Sequence, residues 1–134
     1  MSKTIKADKL QEELKDYLES YIEDIEDAVK ETTDKLSKEA VKELKQKSPR
    51  RKGDKKRKNP YWKGWSRKKQ SKGRKYTMTL YNRTNYQLTH LLEYGHATEN
   101  GGQTKAIPHI KPIEEKYNQL YEETIEKAIK RGTN

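Results

Sequence analysis

The residues of this 134-residue chain whose types and spacing most suggest acid–base or metal chemistry are the three histidines, His90, His96 and His109, with Glu93 between the first two. A zinc site needs three or four converging donors. His90, Glu93 and His96 step by three along a segment whose leucines have helical spacing. Positions i and i+3 of a helix share a face, but i+6 turns away from i. The three are therefore predicted not to meet on one ion. Glu93 beside His96 is the one acid–base pairing of note, and catalysis would need such a pair in a cleft. There is no GxSxG, no phosphate-cradling Gly-rich loop and no cysteine. Serine and thiolate nucleophiles, disulfides and thiolate zinc sites thus leave no signature. The expectation is a non-enzyme with no catalytic residue, no metal and no cofactor.

The stronger signal is electrostatic. Residues 48–75 carry fourteen Lys/Arg against one Asp, a net of +13. Residues 1–47 carry ten against thirteen, a net of −3, and residues 76–134 carry seven against seven. A near-neutral scaffold is interrupted by one basic segment. Within it, RRKGDKKRKN (50–59) has no apolar residue and cannot join a core, so 48–59 is expected to be a mobile basic loop. Arg50, Arg51, Lys52, Lys55, Lys56, Arg57 and Lys58 are the candidate contacts to DNA or to an acidic partner. Tyr61, Trp62 and Trp65 interleave rings with charge, which suits phosphate contact and base stacking. No helix-turn-helix, zinc finger or RNA-binding sheet signature accompanies them, so any contact should be to backbone phosphate, without sequence preference. The bland alternative is a solvated connector.

The elements that must carry these residues follow from periodicity. From residue 8 to 46, Leu10, Leu14, Tyr17, Leu18, Tyr21, Ile22, Ile25, Val29, Leu36, Ala40, Val41 and Leu44 recur at steps of three and four, with no Gly or Pro. That predicts one helix of roughly 55–60 Å at ~1.5 Å per residue. A globule of this length is only roughly 28 Å across. The helix must bend, break near Thr32 where the stripe weakens, or project onto a neighbour. Its apolar face is read equally as core and as a surface for another subunit. Ser48-Pro49 ends it. PYWKGWS (60–66) is a short strand or turn anchored by aromatics, 67–73 is basic and polar with a turn at Gly73, and KYTMTLYN (75–82) alternates as a strand with one buried face. Tyr86–Tyr94 is a short helix with Gly95 following it. Gln103–Ile110 is extended. Pro112 opens a final helix closed by Arg131 and Gly132. The fold class is α+β: a long N-terminal helix, a small antiparallel sheet with a short helix, and a C-terminal helix, in a single domain (1–134).

Apolar residues make up 29%, with nine Tyr and no Phe, and the mean hydropathy is −1.41. So polar a chain buries little area per residue. Apolar surface buried against other subunits is expected to add to a small core. No apolar run is long enough to span a membrane, and Met1 to Lys9 lack a signal-peptide core.

The stretch YQLTHLLEYGHATENGGQTKAIPHIKP (86–112) resembles the small head–tail joining proteins of long-tailed bacteriophages, also called tail-completion or minor capsid proteins. LLEYGHA (91–97), Asn100-Gly101-Gly102 and PHIKP (108–112) carry the likeness. Ser48-Pro49, Gly53, Tyr61, Gly64-Trp65 and Tyr81-Asn82 fit the family's order upstream, although the passage before Gly64-Trp65 is stretched here by GDKKRKNP. The resemblance implies a structural virion protein without catalysis or cofactor. It implies a homo-oligomeric ring of the phage neck, made in the host bacterial cytoplasm and assembled between portal-side head-completion proteins and tail proteins. Trp65, Glu93, Gly95, Pro108 and Pro112 are then architectural: Gly95 permits positive φ after the short helix, and the prolines fix the approach to the final one. The competing reading is a small non-specific nucleic-acid-binding protein or RNase-like toxin using the basic segment with His90 or His109.

Overall fold

The computed structural model describes residues 7–132, and the expectations that fall on 1–6 and 133–134 lie outside them. Helix α1 (Ala7–Lys47) is followed by two single 3-10 turns (Asp54–Lys56 and Tyr61–Lys63) and strands β1 (Trp65–Lys72) and β2 (Lys75–Asn82). Helices α2 (Tyr86–Tyr94) and α3 (Lys111–Gly132) complete the chain. The architecture is the α+β arrangement that periodicity predicts. Helix α1 is continuous through Thr32. There Ala28 and Thr32 of α1 and Thr124 and Ala128 of α3 line one shallow cavity. The stripe weakens because small side chains serve where two helices approach.

The strands form one antiparallel hairpin whose register runs from Trp65↔Asn82 to Lys72↔Lys75. This departs from the expectation for 67–73, which is strand up to Lys72. A two-residue loop led by Gly73, at φ 59°, brings β1 back along β2, and Gly in the first loop position suits that connection. Strand β1 needs no apolar alternation of its own. Tyr76, Met78 and Leu80 supply the half-buried face, while Arg67 reaches the Asp34 carbonyl of α1 at 3.2 Å. The extended stretch 103–110 forms only an isolated bridge, Ala97↔Gln103, and not a third strand.

Helix α3 runs antiparallel to α1. Tyr117 near its start donates to Glu43 Oε1 at 2.7 Å, Lys116 pairs with the same carboxylate, and Arg131 near its end lies beside Glu31. The Lys116 and Tyr117 hydrogen bonds hold the Glu43 carboxyl below the ordinary carboxylate range. Ala40, Leu44, Tyr61, Trp65 and Ile113 form the buried centre, with Val41, Leu80, Leu88, Leu92, Ile110 and Tyr117 against it. The core sits at the C-terminal end of α1, where every later element converges.

Gly95 ends α2 at φ 76°, ψ 171°, a region essentially reserved for glycine. It is not the left-handed helical conformation of the usual C-terminal glycine. A Cβ there would also lie 2.6 Å from the Thr104 carbonyl oxygen. Gly95→Val is therefore expected to lose about 3 kcal/mol, from backbone strain and displacement of the 104–106 strand of chain. Urea melts check this, and a variant as stable as the parent would show that neither constraint acts.

Candidate interaction surface

The residues with chemical potential are consumed by architecture at the α2–α3 junction. The Glu93 carboxylate is buried. Its Oε1 accepts the backbone N–H groups of His109 (2.8 Å) and Ile110 (2.9 Å), and its Oε2 accepts that of Lys111 (2.9 Å). Pro112, next in line, has no N–H. The first donor of α3 and the two just before it, which no helical carbonyl can reach, are thus satisfied by one carboxylate from α2, which also faces the positive end of the helix dipole. Burial works to raise the Glu93 pKa, but the three backbone donors and the adjacent His109 outweigh it and hold the carboxyl below the ordinary range.

His109 is 3% exposed. Its Nδ1 lies 2.8 Å from the Ile107 carbonyl and 3.1 Å from Glu93 Oε1. Its Nε2 lies 2.7 Å from the Tyr61 hydroxyl. Burial, reinforced by the Glu93 charge, pushes the Tyr61 pKa up, so the phenol stays protonated and shares a hydrogen bond with Nε2. Pro108 leads into this knot. The other histidines go elsewhere: His90 lies against the Tyr94 ring at 4.9 Å between centroids, and His96 Nδ1 meets Thr104 Oγ1 at 3.1 Å. Among the described residues no three His, Cys, Asp or Glu side chains are placed to hold a metal ion.

A second knot ties the strands to α1. Trp65 donates its indole N–H to Ser48 Oγ at 2.6 Å, and Ser48 donates to the Leu44 carbonyl. Among the described residues Asn82 is the one fully buried large side chain. Its Nδ2 donates to the Tyr61 carbonyl (2.8 Å) and its Oδ1 accepts from Asn85 N (2.8 Å). Gly64 lies against it, where a Cβ would fall 2.4 Å from Asn82 Oδ1. The spacings Ser48-Pro49, Gly64-Trp65 and Tyr81-Asn82, which looked like separate marks along the sequence, meet here in space.

The basic segment divides in two. Arg50, Arg51, Lys52, Lys55, Lys56, Arg57 and Lys58 are all exposed. Gly53, at φ 93°, turns the loop, and Asp54 steadies it by accepting the Arg51 N–H at 2.7 Å. The rings do not all join this surface. Tyr61 and Trp65 are core residues, so neither is available to stack on a base. Only Trp62 stays partly exposed, and the Arg50 guanidinium lies over its ring at 4.0 Å. Sequence spacing suggested three stacking rings; burial leaves one. The second part of the segment lies on the hairpin, where Lys68, Lys69, Lys72 and Lys75 point to solvent.

One feature is visible in the sequence only as an open alternative. Leu10, Leu14, Tyr17 and Leu18 near the start of α1 are 45%, 52%, 60% and 54% exposed. No described helix is long and apolar enough to cross a membrane. The family described as "Bacteriophage HK97-gp10, putative tail-component" matches residues 12–95. The matched span runs from α1 to Gly95, so it includes the loop, the hairpin and LLEYG, and Pro108–Pro112 lies beyond it. No curated protein and no solved structure matches the chain.

Proposed function

This chain belongs to the HK97-gp10-like family of bacteriophage tail components, and from that premise we propose that it is a structural protein of the phage neck, without catalytic activity, that forms or completes the ring joining the DNA-filled head to the tail. The family match across 12–95 carries the reading. The engagement of the chemically capable residues supports it: the Glu93 oxygens and the His109 ring nitrogens are taken up in hydrogen bonds that hold α2 to α3. The exposed apolar face of α1 supports partners within the particle, namely other copies of the chain and the adjoining head-side and tail proteins. A nuclease reading built on His109 would need it at a phosphate, yet its ring nitrogens are engaged by Tyr61 and Ile107. Imaging of the purified chain, alone and with its tail partners, tests the ring. A chain that stays monomeric in both cases would overturn it.

Within this reading, residues 1–134 act as one domain, and the basic loop of 48–59, mobile beyond the anchored Ser48, faces DNA or an acidic partner in the assembled neck. Seven exposed cations on one copy bind phosphate weakly and with steep salt dependence. A ring repeats the loop and raises its effective local concentration. Neutralising Lys55, Lys56, Arg57 and Lys58 together is expected to change stability by less than about 0.5 kcal/mol, since exposed charges add little. The same variant should cut the yield of infectious particles in a complementation assay. Normal yield would reduce the loop to a solvated connector.

A further inference from the structure

We propose that the N-terminal half of α1 docks on the outward face of the β1–β2 hairpin of a second copy of this chain. This deepens the ring reading by naming the two surfaces that meet, and it rests on that reading.

The geometry begins with lengths. An eight-residue hairpin reaches roughly 26 Å at ~3.3 Å per residue. It starts at Trp65, beside Ser48, and ends at Arg74, whose guanidinium lies 3.6 Å from Glu26. Helix α3 ends near the same level, beside Ala28 and Glu31. Nothing described covers α1 before Glu26, apart from the hairpin tip at Arg74, and Lys9 to Ser20 are exposed without interruption. At ~1.5 Å per residue the stretch from residue 9 to 26 adds roughly 26 Å of helix. The overhang is as long as a hairpin.

The uncovered face is the continuation of the covered one. Counting ~100° per residue, Leu14, Leu18 and Tyr21 lie on the same stripe as Ala28, Thr32 and Leu36, which face α3. Acidic residues flank the stripe, and residues 9–31 hold nine Asp/Glu against three Lys, a net of −6. Within the protomer α3 covers that stripe, and the hairpin shows how a basic strand pair meets an acidic side of α1. The hairpin lies on α1 with Tyr76 donating to Asp34 Oδ1, and with Arg67 and Arg74 pairing with Asp34 and Glu26.

The hairpin's other face offers the same chemistry without a partner. Register places Ser66, Lys68, Gln70 and Lys72 opposite Tyr81, Thr79, Thr77 and Lys75. Residues 63–75 hold seven Lys/Arg and no acid. Lys72 and Lys75 face each other directly, and like charges across a strand pair repel unless an anion intervenes. Thr methyls, lysine stems and the Tyr81 ring can cover leucines while the ammonium groups reach the flanking carboxylates. The arm cannot fold back onto its own hairpin, because α1 is continuous and the hairpin tip already points along it. Two arms pairing with each other would set −6 against −6, which the charges oppose. The contact is therefore between unlike surfaces, and such contacts repeated from copy to copy give a ring when the rotation between copies closes. The apolar stripe supplies the binding; the ion pairs set partner and register.

Light scattering of the full chain and two variants tests the inference. The arm variant is Leu14→Asp with Leu18→Asp; the hairpin variant is Lys68→Glu, Lys72→Glu and Lys75→Glu. All five positions are exposed, and circular dichroism checks that both fold. The parent should have a mass several times 15.9 kDa, and each variant alone should be monomeric. An equimolar mixture of the two should give a dimer, because one supplies the intact arm and the other the intact hairpin. The chain has no cysteine, so Leu18→Cys and Thr79→Cys versions should form a disulfide when mixed and none when alone. A hairpin variant of parental size, or Leu18→Cys crosslinking to itself, overturns this docking and leaves the ring standing. A parent that is monomeric with and without its tail partners removes the ring and the docking together.

Discussion

Replacing Glu93 by glutamine is expected to cost about 3 kcal/mol. The carboxylate offers two acceptor oxygens to three backbone N–H groups. Glutamine keeps one oxygen and turns an NH2 toward the remaining amide, so at least one buried donor is orphaned at about 1–3 kcal/mol and a charge-assisted bond becomes a neutral one. The negative charge at the start of α3 is lost as well. The pH dependence follows from the direction of the shift. Because the folded pKa of Glu93 lies below its unfolded value, its contribution is fully present above the unfolded value of about 4.3 and is lost as pH falls through the folded one. The gap between parent and Glu93→Gln in denaturant melts should thus be widest above about pH 5.5 and should close on acidification. A gap that does not change with pH would mean that the ionised carboxylate is not what caps α3.

Asn82→Leu should be at least as damaging, at about 3–5 kcal/mol, although leucine has the same number and branching of heavy atoms. Only 1% of Asn82 is exposed. Its amide ties two segments to the end of β2: the Tyr61 carbonyl before β1, and the loop before α2 through the Asn85 N–H and the Thr84 hydroxyl at 3.3 Å. Leucine would leave that carbonyl and that N–H without partners in a buried space, each at about 1–3 kcal/mol. It would also press two methyl groups toward Gly64, where there is no room for even a Cβ. Calorimetry of Asn82→Leu beside Asn82→Asp separates the effects. Aspartate keeps the acceptor for Asn85 but loses the donor to Tyr61, so it too should unfold well below the parent. Wild-type melting of either variant would mean that the amide is not the joint.

Much of the fold was legible in the sequence because periodicity is local. The stripe of α1, the alternation of 76–81 and the leucines of α2 each need only their own neighbours to be read. The 65–72 strand was not legible, since WSRKKQSK has no alternation; its conformation comes from pairing with β2 across Gly73. Burial of Tyr61 and Trp65 was equally invisible: a ring among lysines reads as surface until α1 and Ile113 are placed over it. Composition by itself determined that the chain is basic in one segment, poor in apolar residues and without thiol chemistry. Spacing determined that His96 would turn away from His90. Only the tertiary structure decided that Glu93 reaches sixteen or more residues ahead to cap α3, that Asn82 holds Gly64 and Asn85 together, and that α1 outruns its own domain. Those are contacts between segments distant in sequence, set by which surfaces pack first, and no local pattern encodes them.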